Sequence, residues 1–403
     1  MANTILTHQM IAREAAAMLM EHMCFISNIN REREKEFGAD VNGYTKGSSV
    51  KVKIPPASKV FDGNVFAGGG AVPDQAESSV TLTVATQKHV ALRFTSIEKA
   101  LQLAEYKERF MKPALSTLAS VVQADFLAKA YKLVPNVVGT PGTIPNTMKT
   151  YGQVRAVMER FLAPTSPRTC LFSSDANLEM VDTSKALFNP VTDVAKQYRT
   201  GIMGDAQGLE FYECQSMPVH TNGSKVAGVT INGANQTGAS LSLAGLAEGD
   251  TIKAGTVFTI AGVYAVHPLT GVAYPQLRQF VVTADFTAAG ATGSVSISPP
   301  INGTAPGANV SALAANGAAL AFVGSASTGY RQNLAFHRDA FATAFVPLKV
   351  IASCEGYTFS TDDFSVRVMT GGDFTNDAEN TRIDVLYADP VLIRPDHAVR
   401  ITE

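Results

Sequence analysis

The chain has 403 residues, of which 46% are hydrophobic and 17% charged, with no tryptophan and a formal net charge of −2. A near-neutral balance excludes a protein that condenses nucleic acid by neutralising phosphates, and no run of about 18 apolar residues exists to span a membrane. Soluble domains usually carry about 25% charge, so this chain is expected to bury much of its surface, within itself or, as its composition favours, against neighbours.

Cys24, Cys170, Cys214 and Cys354 are far apart and form no CxxC, which suits reduced structural thiols. The start, MANTILTHQM, has neither a basic region nor an apolar core, so no signal peptide is expected.

Residues 1–37 read as helical. Ile5, Leu6, Ile11, Met18, Leu19, Met23 and Phe25 are spread around the helix, a patchy stripe that suits an arm better than a core helix. The segment ends in Arg31-Glu-Arg-Glu-Lys-Glu36, alternating charges for a solvated face or a polar contact, with Arg31 and Arg33 as contact candidates.

Residues 45–95 switch to period two. Val50–Ile54, Val80–Val84 and Val90–Phe94 alternate around a glycine-rich tip, Phe61-Asp-Gly-Asn-Val-Phe-Ala-Gly-Gly-Gly70. A lone two-stranded ribbon is marginal in water, so it should lie on something, with a neighbouring subunit the natural support. Phe61, Asp62, Asn64 and Phe66 are the candidate contacts.

Ser96–Val134 reads as one long helix in two parts. Leu115, Leu118, Ala119, Val122, Phe126, Ala130 and Leu133 form one apolar stripe. The first half is charged, with Glu108 and Arg109 as contact candidates. Pro113 should kink or interrupt it. Unbroken, it would reach roughly 55–60 Å, which implies an elongated molecule or a large partner surface. Two ordinary core helices broken at Pro113 are the alternative.

Residues 136–223 are mixed α/β, with a helix at Tyr151–Leu162, a buried strand at Thr169–Phe172, a Ser-capped helix from Ser174 and a strand at Leu209–Cys214. In residues 224–328 only Lys225, Glu248, Asp250, Lys253, Arg278 and Asp285 are charged. Short apolar runs between Gly, Asn and Thr turns predict an all-β barrel or sandwich, inserted between two α/β segments. Its four Asn-x-Ser/Thr triplets, at Asn222, Asn235, Asn302 and Asn309, read as chance in so Asn-rich a region. Ala335–Leu348 reads as an apolar helix or strand. Phe364–Met369 and Thr381–Tyr387 read as alternating strands joined by a turn at Thr370–Asn376.

The search for chemistry comes back empty. His337-Arg338-Asp339 imitates a kinase triplet without its companion motifs. Gly371-Gly-Asp-Phe374 is better read as a hairpin turn. Asp362, Asp363, Asp373 and Asp377 lack calcium-loop spacing. The histidines do not pair at metal spacing, and Gly68-Gly69-Gly70 is no P-loop. No catalytic residue, cofactor or metal is expected.

The order of arm, ribbon, long helix, α/β segment, inserted β domain and return strands resembles the major capsid proteins of tailed double-stranded DNA phages, in the P22-type branch of the HK97-like fold. Three stretches carry the resemblance: Asn333–Leu348, Glu248–Ile252 with Phe258–Val263, and the ribbon-then-helix order of Lys46–Val134. It implies an α+β HK97-like capsid fold with an N-terminal arm (1–37), an extended loop (38–95), a peripheral domain with a spine helix (96–135 and 363–403), an axial domain (136–223 and 329–362) and an inserted all-β barrel (224–328).

It further implies a shell of hexamers and pentamers around packaged DNA held by weak non-specific contact, with a portal and no membrane. The virion would be assembled in the cytoplasm of a bacterial host. Within the inserted domain, Val263–Gln279 would bridge capsomers, with His267 and Arg278 as contact candidates. That loop is nearly uncharged, so salt bridges across a two-fold axis are not expected of it. About 45 residues precede the ribbon, too few for a fused scaffolding segment, so a separate scaffolding protein is expected, docking on residues 1–37. The rival readings are a tail or decoration component that binds through its β domain, and an α/β enzyme with an inserted β domain.

Overall fold

A computed structural model describes residues 8–31, 40–41, 44–45, 49–54, 58, 64, 77–95, 110–184, 204–304, 307–360, 364–373 and 375–403. Its principal elements in chain order are α1 (His8–His22), β1 (Ser49–Ile54), β2 (Ser78–Thr95), α2 (Lys112–Ala130), β3 (Asn136–Val138), α3 (Met148–Arg160), β4 (Arg168–Phe172), α4 (Ser174–Ser184), β5 (Leu209–Glu213), β6 (Val219–Thr221), β7 (Thr230–Ile231), β8 (Gly238–Ala244), β9 (Val257–Val266), β10 (Ala273–Val282), β11 (Thr292–Ile301), β12 (Leu320–Phe322), β13 (Gly329–His337), β14 (Glu355–Ser360), β15 (Ser365–Asp373), β16 (Ala378–Ala388) and β17 (Ala398–Thr402). They fall into two compact units. One comprises Met1–Val52, Thr81–Lys129 and Phe341–Val391, and the other comprises Lys53–Val80, Ala130–Ala340 and Leu392–Glu403.

The first unit is built on a five-stranded sheet in the order β14-β15-β16-β2-β1. Register runs Phe359↔Val366, Val368↔Ile383 and Ile383↔Val90. The base of the ribbon therefore has a partner inside the chain: β2 pairs with β16 from Thr95 to Val84. The base is thus supported by a strand some 300 residues away, while most of the glycine-rich tip lies outside the described residues.

One face of the sheet takes Val366, Val368, Thr370, Ile383 and Tyr387, and both helices lie on it. From α1, the His8 ring lies 3.1 Å from the Thr370 hydroxyl and Arg13 sits 5.8 Å from the Phe359 ring centroid. From α2, Phe126 stacks 4.8 Å from Tyr387, whose hydroxyl donates to Asp125 at 2.8 Å. Ala12, Ala15, Ala16 and Leu19 of α1 are all buried. Their i, i+3, i+4, i+7 spacing makes α1 a core-packed helix rather than the patchy arm predicted. Alanines weigh little in a count of large apolar residues, yet they let a helix sit close to a sheet.

The opposite face carries a charged knot. Asp384 is fully buried and accepts bonds from Arg367, Arg382 and Gln87, while Arg367 also donates to the Lys349 carbonyl at 2.6 Å. The β15–β16 turn is tighter than expected: Gly371 and Gly372 are still in the strand, and Asp373 accepts the Thr375 and Asn376 backbone N–H groups. The hairpin turn therefore lies beyond both glycines, with Thr375–Asp377 in it.

The α-helical part of α2 begins at Lys112, one residue before Pro113, and Phe110 and Met111 just ahead of it are wound as π-helix. Residues 96–109, the charged half of the predicted long helix, lie outside the described residues. So do Asp362 and Asp363.

Among the described residues the second unit holds two large sheets and a two-stranded pairing of Thr251–Ile252 with Phe286–Thr287. The larger runs β3-β17-β13-β4-β5 and ends on a short strand at Asp205–Ala206, with β6 also pairing to β13. Its centre is antiparallel, with Ala335 facing both Cys170 and Val399, whereas β3 runs parallel to β17 and β5 parallel to β4. Tyr151, Val154 and Met158 of α3 pack on this core with Phe172 and Phe211. Ala335–Leu348 begins as strand β13, and the chain then turns through a 3-10 turn at Arg338–Ala340. The last strand, β17, pairs here, and β14 pairs in the first unit. Both pairings differ from the domain division expected from the sequence. None of the four cysteines forms a disulfide, and burial raises the pKa of the Cys170 thiol.

The other sheet runs β7-β8-β11-β10-β9-β12. Its two ends meet: the Leu320 N–H donates to the Val229 carbonyl at 3.0 Å, and the Ile231 N–H to the Ala318 carbonyl at 2.9 Å. The sheet thus closes on itself. Alternate residues fill it, with Leu241 and Leu243, Phe258 and Ile260, Phe280 and Val282, and Val295 and Ile297 all buried. Three of the Asn-x-Ser/Thr asparagines, Asn222, Asn302 and Asn309, hold turns. Asn222 donates to the Val323 and Ser325 carbonyls, and Asn309 accepts the Asn302 N–H.

Candidate functional site

The uncharged stretch Val263–Gln279 is mostly strand. β9 and β10 pair as far as Val266↔Ala273, so only His267–Val272 forms a tip. Gly271 supplies the left-handed residue the turn needs, at φ 69°. The tip is held from inside. The His267 N–H donates to the Val272 carbonyl at 2.8 Å, and the His267 ring Nδ1 accepts the Leu269 and Thr270 N–H groups at 3.2 and 3.1 Å. With its backbone satisfied, the tip turns its apolar side chains outward: Leu269 is 79% exposed and Val272 64%. A rigid turn carrying bare apolar side chains has the character of a contact surface.

The base of this hairpin is tied to the larger sheet by side chains. The Tyr274 hydroxyl donates to the Arg160 carbonyl at 3.0 Å, while the Arg160 guanidinium lies over the Tyr274 ring. Gln279 bonds both backbone groups of Val137, at 2.8 and 3.1 Å, as a strand neighbour would. Arg278 is 1% exposed, donates to Asp396 at 2.5 Å and lies 4.6 Å over the Phe161 ring.

A second tie lies beneath. Fully buried Arg400 donates to the Gly255 carbonyl at 2.9 Å beside the Tyr131 ring. Gly255 has φ +93°, and a Cβ there would meet the His220 ring at 3.2 Å, so this turn requires glycine. His220 is wedged between Tyr131 and Thr256. Burial, then the charge of Arg400, lowers its pKa from 6.5 to about 4. The folded chain therefore holds His220 neutral where the unfolded chain would protonate it. Stability from this group is complete above pH 6.5 and is lost as pH falls towards 4, by about 3 kcal/mol at most. Urea unfolding across pH 7 to 4 should show this slope together with that of His397, which burial likewise holds down to about 4, and His220→Gln should remove about half of it. An unchanged slope in the variant would remove His220 as the cause.

Of the contact candidates, Phe61, Asp62, Phe66, Arg33, Glu108 and Arg109 lie outside the described residues. Asn64 is exposed. Arg31 is 8% exposed. His267 organises the tip rather than projecting from it. Arg278 spends its charge inside the chain, and its partner Asp396 lies 118 residues away, a distance no local pattern reveals. Leu269 and Val272 were missed as individual residues. Their signal was the pairing of Pro268 and Gly271 turn residues with exposed apolar neighbours. Among the described residues no group of His, Cys, Asp or Glu is placed to hold a metal ion.

A search of curated proteins finds no match. Among solved structures, the capsid of Ralstonia phage GP4 is 8% identical and aligns over 94% of this chain and 90% of its own, with a TM-score of 0.48. A structure from Mycobacterium phage Che8 is 13% identical over 93% and 90%, with a TM-score of 0.44. The CUS-3 coat protein I-domain is 28% identical over 26% of this chain and 100% of its own, with a TM-score of 0.19. The family model described as P22 coat protein - gene protein 5 matches residues 29–401. That match takes in both sheets and the hairpin, and by it the chain belongs to the P22 coat protein family, as a major capsid protein that forms a phage shell.

Proposed function

We propose that the chain is the repeating subunit of an icosahedral shell, forming hexameric and pentameric capsomers around packaged double-stranded DNA. The reading takes the HK97-like α+β fold, with residues 38–95 as the extended loop over an adjacent subunit and the closed sheet as the inserted barrel. The peripheral domain would be 96–135 with the strands β14–β16, and the axial domain 136–223 with β13 and β17. A net charge of −2 supports weak, non-specific contact with DNA. A portal completes the shell, which assembles in the host cytoplasm. The role is structural, with no reaction of its own.

The observation that carries this reading is the hairpin tip, where Leu269 and Val272 are bare on a turn whose backbone is satisfied. The tip bridges capsomers by apolar contact instead of ion pairs. The double substitution Leu269→Lys and Val272→Lys should cut the yield of closed shells roughly tenfold or more, since two charges must then be desolvated at the contact. The subunit's urea midpoint should not change. Negative-stain electron microscopy reads the result, and wild-type numbers of closed shells from the variant would sink the bridging role.

A separate scaffolding protein docks on the N-terminal segment. Because α1 is core-packed, deleting residues 1–30 would damage the fold and confuse the test. Arg13 lies on the exposed side of α1, so Arg13→Glu is the cleaner probe. Co-sedimentation with the scaffolding protein should weaken severalfold, and an unchanged profile would move the docking site elsewhere.

A further inference from the structure

A cavity of about 370 Å³ opens beside the base of the hairpin, in the size range of small-molecule sites. Helix α3 presents two faces. Tyr151, Val154 and Met158 enter the core, while Gln153, Ala156, Val157 and Arg160, spaced i, i+3, i+4, i+7, line the cavity. Val138 of β3 and Leu277 of β10 supply apolar wall opposite. Ala156 keeps the space open, because a larger side chain at that point of the stripe would fill it.

The polar groups around the cavity are unequally occupied. Gln279 is committed to both backbone groups of Val137, and Asn136 donates to the Pro395 and Ala398 carbonyls. Glu159, the acid beside Arg160 in sequence, is taken by Arg155 and Arg168. Arg160 itself has the Tyr274 ring 5.6 Å beneath its guanidinium and no carboxylate partner among the described residues. A slot of mixed lining, with Gln153 and Gln276 beside the apolar wall and one cation that has no carboxylate partner among the described residues, matches a ligand with an apolar body and one carboxylate.

We infer that this cavity binds a small apolar carboxylic acid, with its carboxylate on Arg160 and its body between Val157 and Leu277. Such a ligand touches the elements that the Tyr274–Arg160 and Gln279–Val137 bonds already join. Binding therefore stabilises the attachment of the hairpin base to α3 and β3.

The test uses 2-naphthoate and the full chain. The chain has no tryptophan, so naphthoate emission anisotropy is read against a low protein background. Wild-type protein should give a saturable rise. Arg160→Gln should bind roughly tenfold more weakly, the loss expected for one charge-assisted contact. Ala156→Leu should abolish binding while keeping the wild-type urea midpoint. The neutral isostere 2-naphthol, which requires no variant, should compete roughly tenfold less well than unlabelled naphthoate. Absence of saturable binding to wild type would overturn the inference. So would full affinity in Ala156→Leu, or equal competition by 2-naphthol.

Discussion

Replacing Asp384 by Asn should destabilise the five-stranded sheet by about 3–5 kcal/mol, the cost of stranding buried charge. The Asp384 carboxylate is fully buried and accepts four bonds. Arg367 donates twice to Oδ2, at 3.3 and 2.9 Å, while Arg382 and Gln87 donate to Oδ1 at 2.7 and 2.9 Å. Asparagine keeps the shape but turns an NH2 group towards donors and removes the charge that balances two guanidiniums. The side chain of Arg367 is only 8% exposed, so water cannot compensate, whereas that of Arg382 is 41% exposed. Arg382→Gln should therefore cost much less than Asp384→Asn. Domains commonly hold only about 5–15 kcal/mol of stability, so Asp384→Asn should leave little soluble subunit at growth temperature. Hydrogen exchange at the β15 and β16 amides, with a urea titration, measures the effect locally. A loss below about 1 kcal/mol would show that the network is replaceable.

Phe345→Ala is the second large effect, at about 3–5 kcal/mol. Phe345 is fully buried at the meeting point of three rings: Phe364 at 4.6 Å, Phe126 at 6.0 Å and Tyr387 at 6.0 Å between centroids. It joins α2 to β16 and leaves a cavity with no flexible neighbour to fill it. Phe345→Leu should recover most of the loss, leaving about 1.5 kcal/mol or less. The ratio of the two urea shifts is the informative quantity. Equal shifts would mean that ring stacking, rather than volume, holds the site.

The closed sheet was legible in the sequence because alternation at Phe258 and Ile260, and at Phe280 and Val282, is a local signal. The β15–β16 hairpin was legible for the same reason. What escaped was long-range. The ribbon base looked unsupported because β16, its partner, comes after most of the second unit has been threaded. Helix α1 looked like an arm because its buried stripe is Ala12, Ala15 and Ala16 with one leucine. At the candidate site, the loop was placed by resemblance alone, and its lack of charge departs from that pattern. The two halves of Arg278–Asp396 and of Gln279–Val137 could not be matched from spacing alone. Arg278 was thus placed at a contact surface when its charge is used internally.

The closure of the small sheet bears on the period before any shell exists. A coat subunit is made in many copies and meets its own kind while still soluble and newly folded. An open sheet would offer each newcomer two unpaired edges, and edges pair with almost any strand they meet. Here the Leu320–Val229 and Ile231–Ala318 bonds consume those edges. In the proposed bridging role, adhesion by this part of the chain would fall to Leu269 and Val272 on a six-residue tip. Encounters between free copies are then brief and reversible, and a contact outlasts its first collision only when several subunits supply others at the same moment.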